Sequence, residues 1–180
     1  DPWLQPVIAV AGVREKYDYA ALGQYVGVSA GTQTDKEITD AMIATTHLDL
    51  RLRAMDMGIE TRVIHAPSIY TAAAGLCGLQ SYKFGKSATI SPPFKNVVSE
   101  VPYDTILENK KRGLHTFLYL NITMSIKDAL NLLKTVAYRK NDAEVKKSII
   151  LGMARVGSAK PVVKAGYWDD LERYDFGSLP

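Results

Sequence analysis

The chain is predicted to adopt an α/β fold. Three observations carry that reading. Thr116–Ile122 and Ser148–Ala154 are apolar on both alternating faces, as strands covered from both sides require. An amphipathic helix lies between them, and strand-like and helix-like segments alternate from residue 40 onward.

The elements follow in order. Val7–Val13 is a short apolar run ending beside Gly12, which reads as a buried strand and turn. Gly23, Gly27 and Gly31 then fall among Ser29, Thr32 and Thr34, a loop-like composition. Thr39 or Asp40 can cap a helix that runs to Met57 and stops at Gly58. Met42, Ile43, Leu50, Met55 and Met57 supply its apolar stripe, and Arg51 and Arg53 a wet one. Thr61–His65 is β-prone around Val63-Ile64. Pro67-Ser68 opens a second helix, Ile69–Cys77, built largely of alanine and suited to a close approach by backbone or a flat ligand. Ser87–Ile90 is a short strand, and Tyr103–Lys111 a helix. Ser125 to about Arg139 is the amphipathic helix, its stripe drawn from Ala129, Leu132, Leu133, Val136 and Ala137. Val162-Val163-Lys164 reads as an edge strand and Tyr167–Tyr174 as a last short helix.

Composition narrows the function classes. The 180 residues are 47% hydrophobic and 23% charged, enough apolar material for a packed core. No stretch approaches the roughly 18 apolar residues of a membrane span, so membrane association is not expected. The opening Asp1-Pro2-Trp3 has no basic or apolar signal region. A net charge of +3 does not imply nucleic acid; Lys83, Lys86 and Lys95 with Tyr82, Phe84 and Phe94 form the one basic-aromatic stretch. The single Cys77 excludes an internal disulfide, sits where a buried thiol is favoured over a reactive one, and makes a cytoplasmic setting the default. His47, His65 and His115 are too scattered for a metal motif, so no metal is expected. Walker A, GxSxG and GxGxxG patterns are absent from the sequence.

A set of segments is more telling. Asp40-Ala41-Met42-Ile43-Ala44-Thr45-Thr46-His47 is followed by Val63-Ile64-His65-Ala66-Pro67-Ser68-Ile69-Tyr70, then by Gly78-Leu79-Gln80 and Tyr82-Lys83-Phe84-Gly85-Lys86-Ser87-Ala88-Thr89. Arg112-Gly113-Leu114-His115-Thr116, Ala154-Arg155-Val156-Gly157-Ser158, Ala165-Gly166-Tyr167 and Asp175-Phe176-Gly177 complete the series. In this order and spacing, residues 40–180 resemble the diphthine synthases, especially the archaeal kind, within the tetrapyrrole-methylase-like superfamily.

The resemblance implies a two-domain α/β fold with S-adenosylmethionine in a cleft between the domains. It divides the chain into 1–65, an incomplete N-terminal cofactor-binding domain, and 66–180, a C-terminal α/β domain. Its cofactor contacts fall on Asp40, Ile43, Ser68, Ile69, Leu120 and Val156, with Val13 at the cofactor-facing end of the first strand. The chemistry suits these types: a carboxylate accepts from hydroxyl or ammonium groups, and apolar residues flank an adenine while their main chain bonds its edge. From residue type alone, the apolar positions read as ordinary core and Asp40 as a helix cap, a place compatible with a cofactor role.

The implied reaction methylates the amine of a 3-amino-3-carboxypropyl-histidine on elongation factor 2, a step of diphthamide biosynthesis, and the archaeal kind adds three methyl groups. The family suggests a homodimer, with no direct nucleic-acid partner. No catalytic residue is assigned; His47 is the one side chain considered as a proton acceptor. Tyr82–Lys86 is a candidate recognition surface for the protein substrate, or equally a solvated turn. Two departures stand out. The family's Gly-Asp-Pro loop reads Thr39-Asp40-Ala41, and the family continues past the position of Pro180 with a histidine and a final apolar strand. A catalytically inactive, truncated family member acting as a binding or structural protein is the alternative. A tetrapyrrole substrate is disfavoured by the His-Ala-Pro-Ser-Ile and Tyr-Lys-Phe-Gly-Lys segments.

Overall fold

The computed structural model describes residues 7–11, 45–61, 68–121, 124–156 and 159–177. Five strands, β1 (Val7–Ala11), β2 (Ala88–Ile90), β3 (Thr116–Leu120), β4 (Ile149–Ala154) and β5 (Val162–Gly166), form one sheet in the order β2-β3-β1-β4-β5. The first four are parallel, and β5 closes one edge antiparallel to β4. The described helices are α1 (Thr45–Asp56), α2 (Ile69–Leu76), α3 (Val101–Lys111), α4 (Ile126–Lys140) and α5 (Trp168–Arg173).

The two apolar runs are indeed inner strands, β3 and β4. In β3, Leu118 and Leu120 point to one face and join Ile90, Ile150, Tyr103 and Ile106 in the main core. The alternation of a strand sends Phe117 to the other face, where its ring meets Phe84 edge-on at 6.1 Å. On that same sheet, Met153 Sδ accepts from the Cys77 thiol at 3.1 Å. Both faces of β3 and β4 are thus covered, which is why neither strand shows a polar alternation.

Helix α4 is held at both ends by local chemistry. Ser125 Oγ accepts from Asp128 N–H at 3.1 Å, and Asp128 Oδ2 accepts from Ser125 N–H at 3.1 Å, a reciprocal capping box. Asn141, left-handed at φ 49°, ends the helix. The buried face is Ile126, Ala129, Leu130, Leu133 and Val136. It is therefore rotated slightly from the expected stripe: Leu132 and Ala137 sit at its half-buried margin.

Strand β1 is the main topological finding. An apolar strand is predicted there, but as the first strand of an N-terminal domain. Instead it lies between β3 and β4, with Ile8 opposite Thr116 and Ile150. By its contacts the chain forms two compact units, residues 1–14 with 72–180, and residues 15–71.

In the smaller unit, α1 ends before Gly58, whose φ of 71° and whose N–H bond to Met55 O stop the helix as expected. Its expected stripe differs: Leu50, Met55 and Met57 are exposed, whereas Ala54 is buried. Arg51, expected on the wet face, is half-buried and donates from Nε to Thr61 Oγ1 at 3.3 Å. The cap at Thr39 or Asp40 and most of the predicted Thr61–His65 strand lie outside the described residues.

Candidate functional site

In an open parallel sheet every strand delivers its carboxyl end to the same edge, and ligands bind beyond that edge where loops leave the strands. Here Ile90, Leu120, Ala11 and Ala154 are the last residues of β2, β3, β1 and β4. Ile90 and Leu120 are in register, and Asn121 N–H, just past β3, donates to Ile90 O at 3.3 Å.

Leu120 stands at this edge with a buried side chain committed to the core. What it can offer a ligand is main chain. Val156 follows β4 by two residues and is half-buried. Between Ala154 and Val156 the chain is turned by Arg155, left-handed at φ 55°. Such a conformation costs a non-glycine residue roughly 1–3 kcal/mol and persists only where the surroundings hold it. The holder is visible: Arg155 Nη1 donates to Phe176 O at 2.8 Å. Phe176 in turn lies over Gly152, where a Cβ would sit 2.5 Å from the ring, so only glycine admits it. The Ala-Arg-Val and Asp-Phe-Gly segments, some twenty residues apart in sequence, are therefore one structural unit that sets the chain direction into Val156. Nothing in an arginine side chain announces a left-handed backbone, so this turn at Arg155 leaves no signal in the sequence.

Ser68 and Ile69 open α2. Ser68 Oγ accepts from Tyr70 N–H at 3.2 Å and Ser68 O accepts from Thr71 Oγ1 at 3.0 Å. That local turn leaves the hydroxyl hydrogen available to donate. Ile69 is buried. Asp40, Ile43 and Val13 lie outside the described residues, as does His65; His47 falls within α1.

The Tyr82–Lys86 segment is pinned from below. Lys83 O accepts from His115 N–H at 2.8 Å and Gly85 N–H donates to His115 O at 2.9 Å. Buried Asn109 receives Lys86 N–H at 3.1 Å and donates to Lys86 O at 2.7 Å and to Thr116 Oγ1 at 3.0 Å. Above these bonds Tyr82 and Lys86 are exposed. His115 is buried against Phe84, and burial, with the Lys83 charge behind it, lowers its pKa and keeps it neutral. Burial likewise pushes the Cys77 thiol up to about 11, so it is not a nucleophile at neutral pH. Among the described residues no group of three or more His, Cys, Asp or Glu side chains is placed to hold a metal, and no helix is long and apolar enough to cross a membrane.

A parallel α/β sheet of this topology, with two candidate contacts on its carboxyl edge, matches a solved diphthine synthase structure with a TM-score of 0.72. The match is 28% identical and covers 98% of this chain and 76% of that one. The fold is thereby the α/β tetrapyrrole-methylase-like one. In sequence, the chain is 53% identical over 143 residues to the diphthine synthase of Methanocella arvoryzae and 50% identical over 148 residues to that of Methanosarcina mazei. Each match covers 77% of this chain and 56% of the relative. The diphthine synthase of Methanosphaerula palustris is 42% identical over 164 residues, 89% of this chain and 61% of the relative. Over the matching stretch the chain is similar to these diphthine synthases. No family model matches the chain. The chain spans a little over half the length of the curated relatives it matches.

Proposed function

We propose that this chain carries the methyltransferase function of a diphthine synthase: transfer of methyl groups from S-adenosylmethionine to the amine of the 3-amino-3-carboxypropyl-histidine precursor on elongation factor 2. The observation that supports it most strongly is the match at 42–53% identity to curated diphthine synthases across 77–89% of the chain. The residues found at the sheet's carboxyl edge fit such a cofactor. When bound, S-adenosylmethionine supplies an electrophilic methyl group on a sulfonium.

The chain's own part is binding and alignment. The main chain at Leu120 and Val156 offers amides and carbonyls to the adenine edge, and Ile43, Ile69 and Val13 supply apolar contact. Ser68 donates its remaining hydroxyl hydrogen, and the Asp40 carboxylate accepts from a hydroxyl or ammonium group and favours nearby positive charge. Displacement at a sulfonium methyl needs an aligned neutral amine and exclusion of water, and positioning alone accounts for a large share of such a rate. The amine's proton passes to water, and no protein nucleophile takes part. The active unit is proposed to be a homodimer.

Isothermal titration calorimetry with S-adenosylmethionine tests the cofactor role. Binding is expected, and Asp40→Ala is expected to weaken it by about 1–3 kcal/mol, the usual loss for a charged hydrogen bond. An unchanged affinity refutes the role of Asp40. Absence of heat at millimolar ligand favours the inactive-homologue reading, to which the altered Thr39-Asp40-Ala41 loop also points.

A further inference from the structure

Just beyond β2, on the same sheet edge as Leu120, the chain makes a feature the methyl-transfer chemistry does not use. Ser91, Pro92 and Pro93 leave the edge as an exposed arm. Phe94 and Val97 then exchange both main-chain hydrogen bonds, Phe94 N–H to Val97 O at 3.1 Å and Val97 N–H to Phe94 O at 2.9 Å. The two residues between them, Lys95 and Asn96, are both left-handed, at φ 48° and 62°. A two-residue hairpin with positive φ at both central positions normally calls on glycine, asparagine or aspartate. A lysine there holds an unfavourable backbone conformation, and strain of this kind concentrates at ligand-contacting positions.

The arm is stiff. Consecutive prolines restrict its stem and the paired hydrogen bonds lock its tip. At that tip Phe94 is 75% exposed and Val97 64% exposed, with the Lys95 ammonium 5.4 Å from the centre of the Phe94 ring. One exposed aromatic on a surface means little. A rigid hairpin that displays an aromatic, an aliphatic and an ammonium together, at the sheet edge where the cofactor contacts Leu120 and Val156 emerge, is a preorganised contact surface.

We propose that the Phe94–Val97 hairpin is the element by which this chain engages its protein substrate. It would contact the segment that presents the acceptor amine, with Phe94 and Val97 making the apolar contact and Lys95 attracting the carboxylate that accompanies that amine. The inference rests on the methyltransferase reading for the identity of the partner. The charge at the tip fits it, because a carboxylate lies a few bonds from the reacting nitrogen of such a substrate.

The test uses the full chain and purified elongation factor 2 carrying the unmethylated precursor. At saturating S-adenosylmethionine, Phe94→Ala and Lys95→Glu are expected to raise the KM for elongation factor 2 at least tenfold. Cofactor affinity should stay within twofold of the parent for both variants, and the rate on the free modified amino acid should do so for Phe94→Ala, whereas Lys95→Glu should lower it. A KM within twofold of the parent for both variants overturns the proposal. Should either variant lose its cofactor affinity as well, a photo-reactive benzoylphenylalanine placed at position 94 decides: a cross-link to purified elongation factor 2 supports the hairpin, and its absence refutes it. If the parent chain transfers no methyl group, the methyltransferase reading fails by itself. Direct binding of elongation factor 2 to parent and Phe94→Ala then judges the hairpin alone, tenfold weaker binding supporting it and equal binding overturning it.

Discussion

Asn109→Ala is expected to be among the most damaging single changes in the larger unit, although Asn109 is neither apolar nor at the carboxyl edge of the sheet. The side chain is 2% exposed and makes three hydrogen bonds, two with the main chain of Lys86 and one with Thr116 Oγ1. A neutral hydrogen bond contributes about 1 kcal/mol net, which puts the three near 3 kcal/mol. Two corrections work in opposite directions. Lys86 is exposed, so water can recover part of its main-chain bonding, whereas Thr116 is 2% exposed and loses a donor in a place water does not reach. The expected destabilisation is therefore about 2–4 kcal/mol. Urea unfolding followed by circular dichroism, with the slope compared between parent and variant, measures it. A change under about 0.5 kcal/mol would show that the clamp on Tyr82–Lys86 carries no net energy and that the reasoning is wrong. Asn109→Asp keeps the shape but sets a carboxylate oxygen against Lys86 O, so at neutral pH it should be no better tolerated than alanine.

The remaining predictions rest on other features of the fold. Ser125→Ala removes the capping box of α4 and should cost about 0.5–2 kcal/mol in urea unfolding; an unchanged midpoint would mean the helix start is held by packing alone. Arg155→Gly and Arg155→Ala both lose the bond to Phe176, but glycine tolerates φ 55° and alanine does not, so the glycine variant should be the more stable by about 1 kcal/mol. The reverse order would remove backbone strain from the account of that turn. His115 has its folded pKa lowered, so its contribution to stability is present above its unfolded value of 6.5 and is lost as pH falls through the folded value. An imidazole titration by NMR should place its midpoint below 6.5, and a midpoint above that would contradict the burial argument.

Much of the architecture could be read from residue patterns, and the misses have a physical pattern of their own. β3 and β4 announce themselves because a strand covered on both faces needs an unbroken apolar run. α4 does so because Ala129, Leu132, Leu133, Val136 and Ala137 recur at helical spacing. β1 is legible as a strand but not in its place, since pairing between Ile8, Thr116 and Ile150 is a long-range event that leaves no mark on Val7–Ala11 itself. At the candidate site the difficulty is one of disguise. Leu120 and Val156 look like core residues, and Leu120 is one; any contact it makes with a ligand comes from main chain that every residue possesses. Only the resemblance to a family points to them. Arg155 and Lys95 escape notice because their left-handed backbones have no signature in the side chain, unlike Gly58 or Asn141 at helix ends. Phe94 and Lys95 are visible as part of a basic-aromatic stretch, but not as the tip of a hairpin, because Lys-Asn lacks the Asn-Gly signal of such turns.

The central claim is a chemical one, that this chain moves methyl groups onto a modified histidine of a protein. Its most direct test is incorporation of labelled methyl from S-adenosylmethionine into elongation factor 2 that carries the 3-amino-3-carboxypropyl-histidine precursor, with mass spectrometry of the modified peptide. The account predicts label on that residue, lost when the precursor is absent and reduced in Asp40→Ala. A chain that binds elongation factor 2 but leaves the precursor peptide's mass unchanged would contradict it.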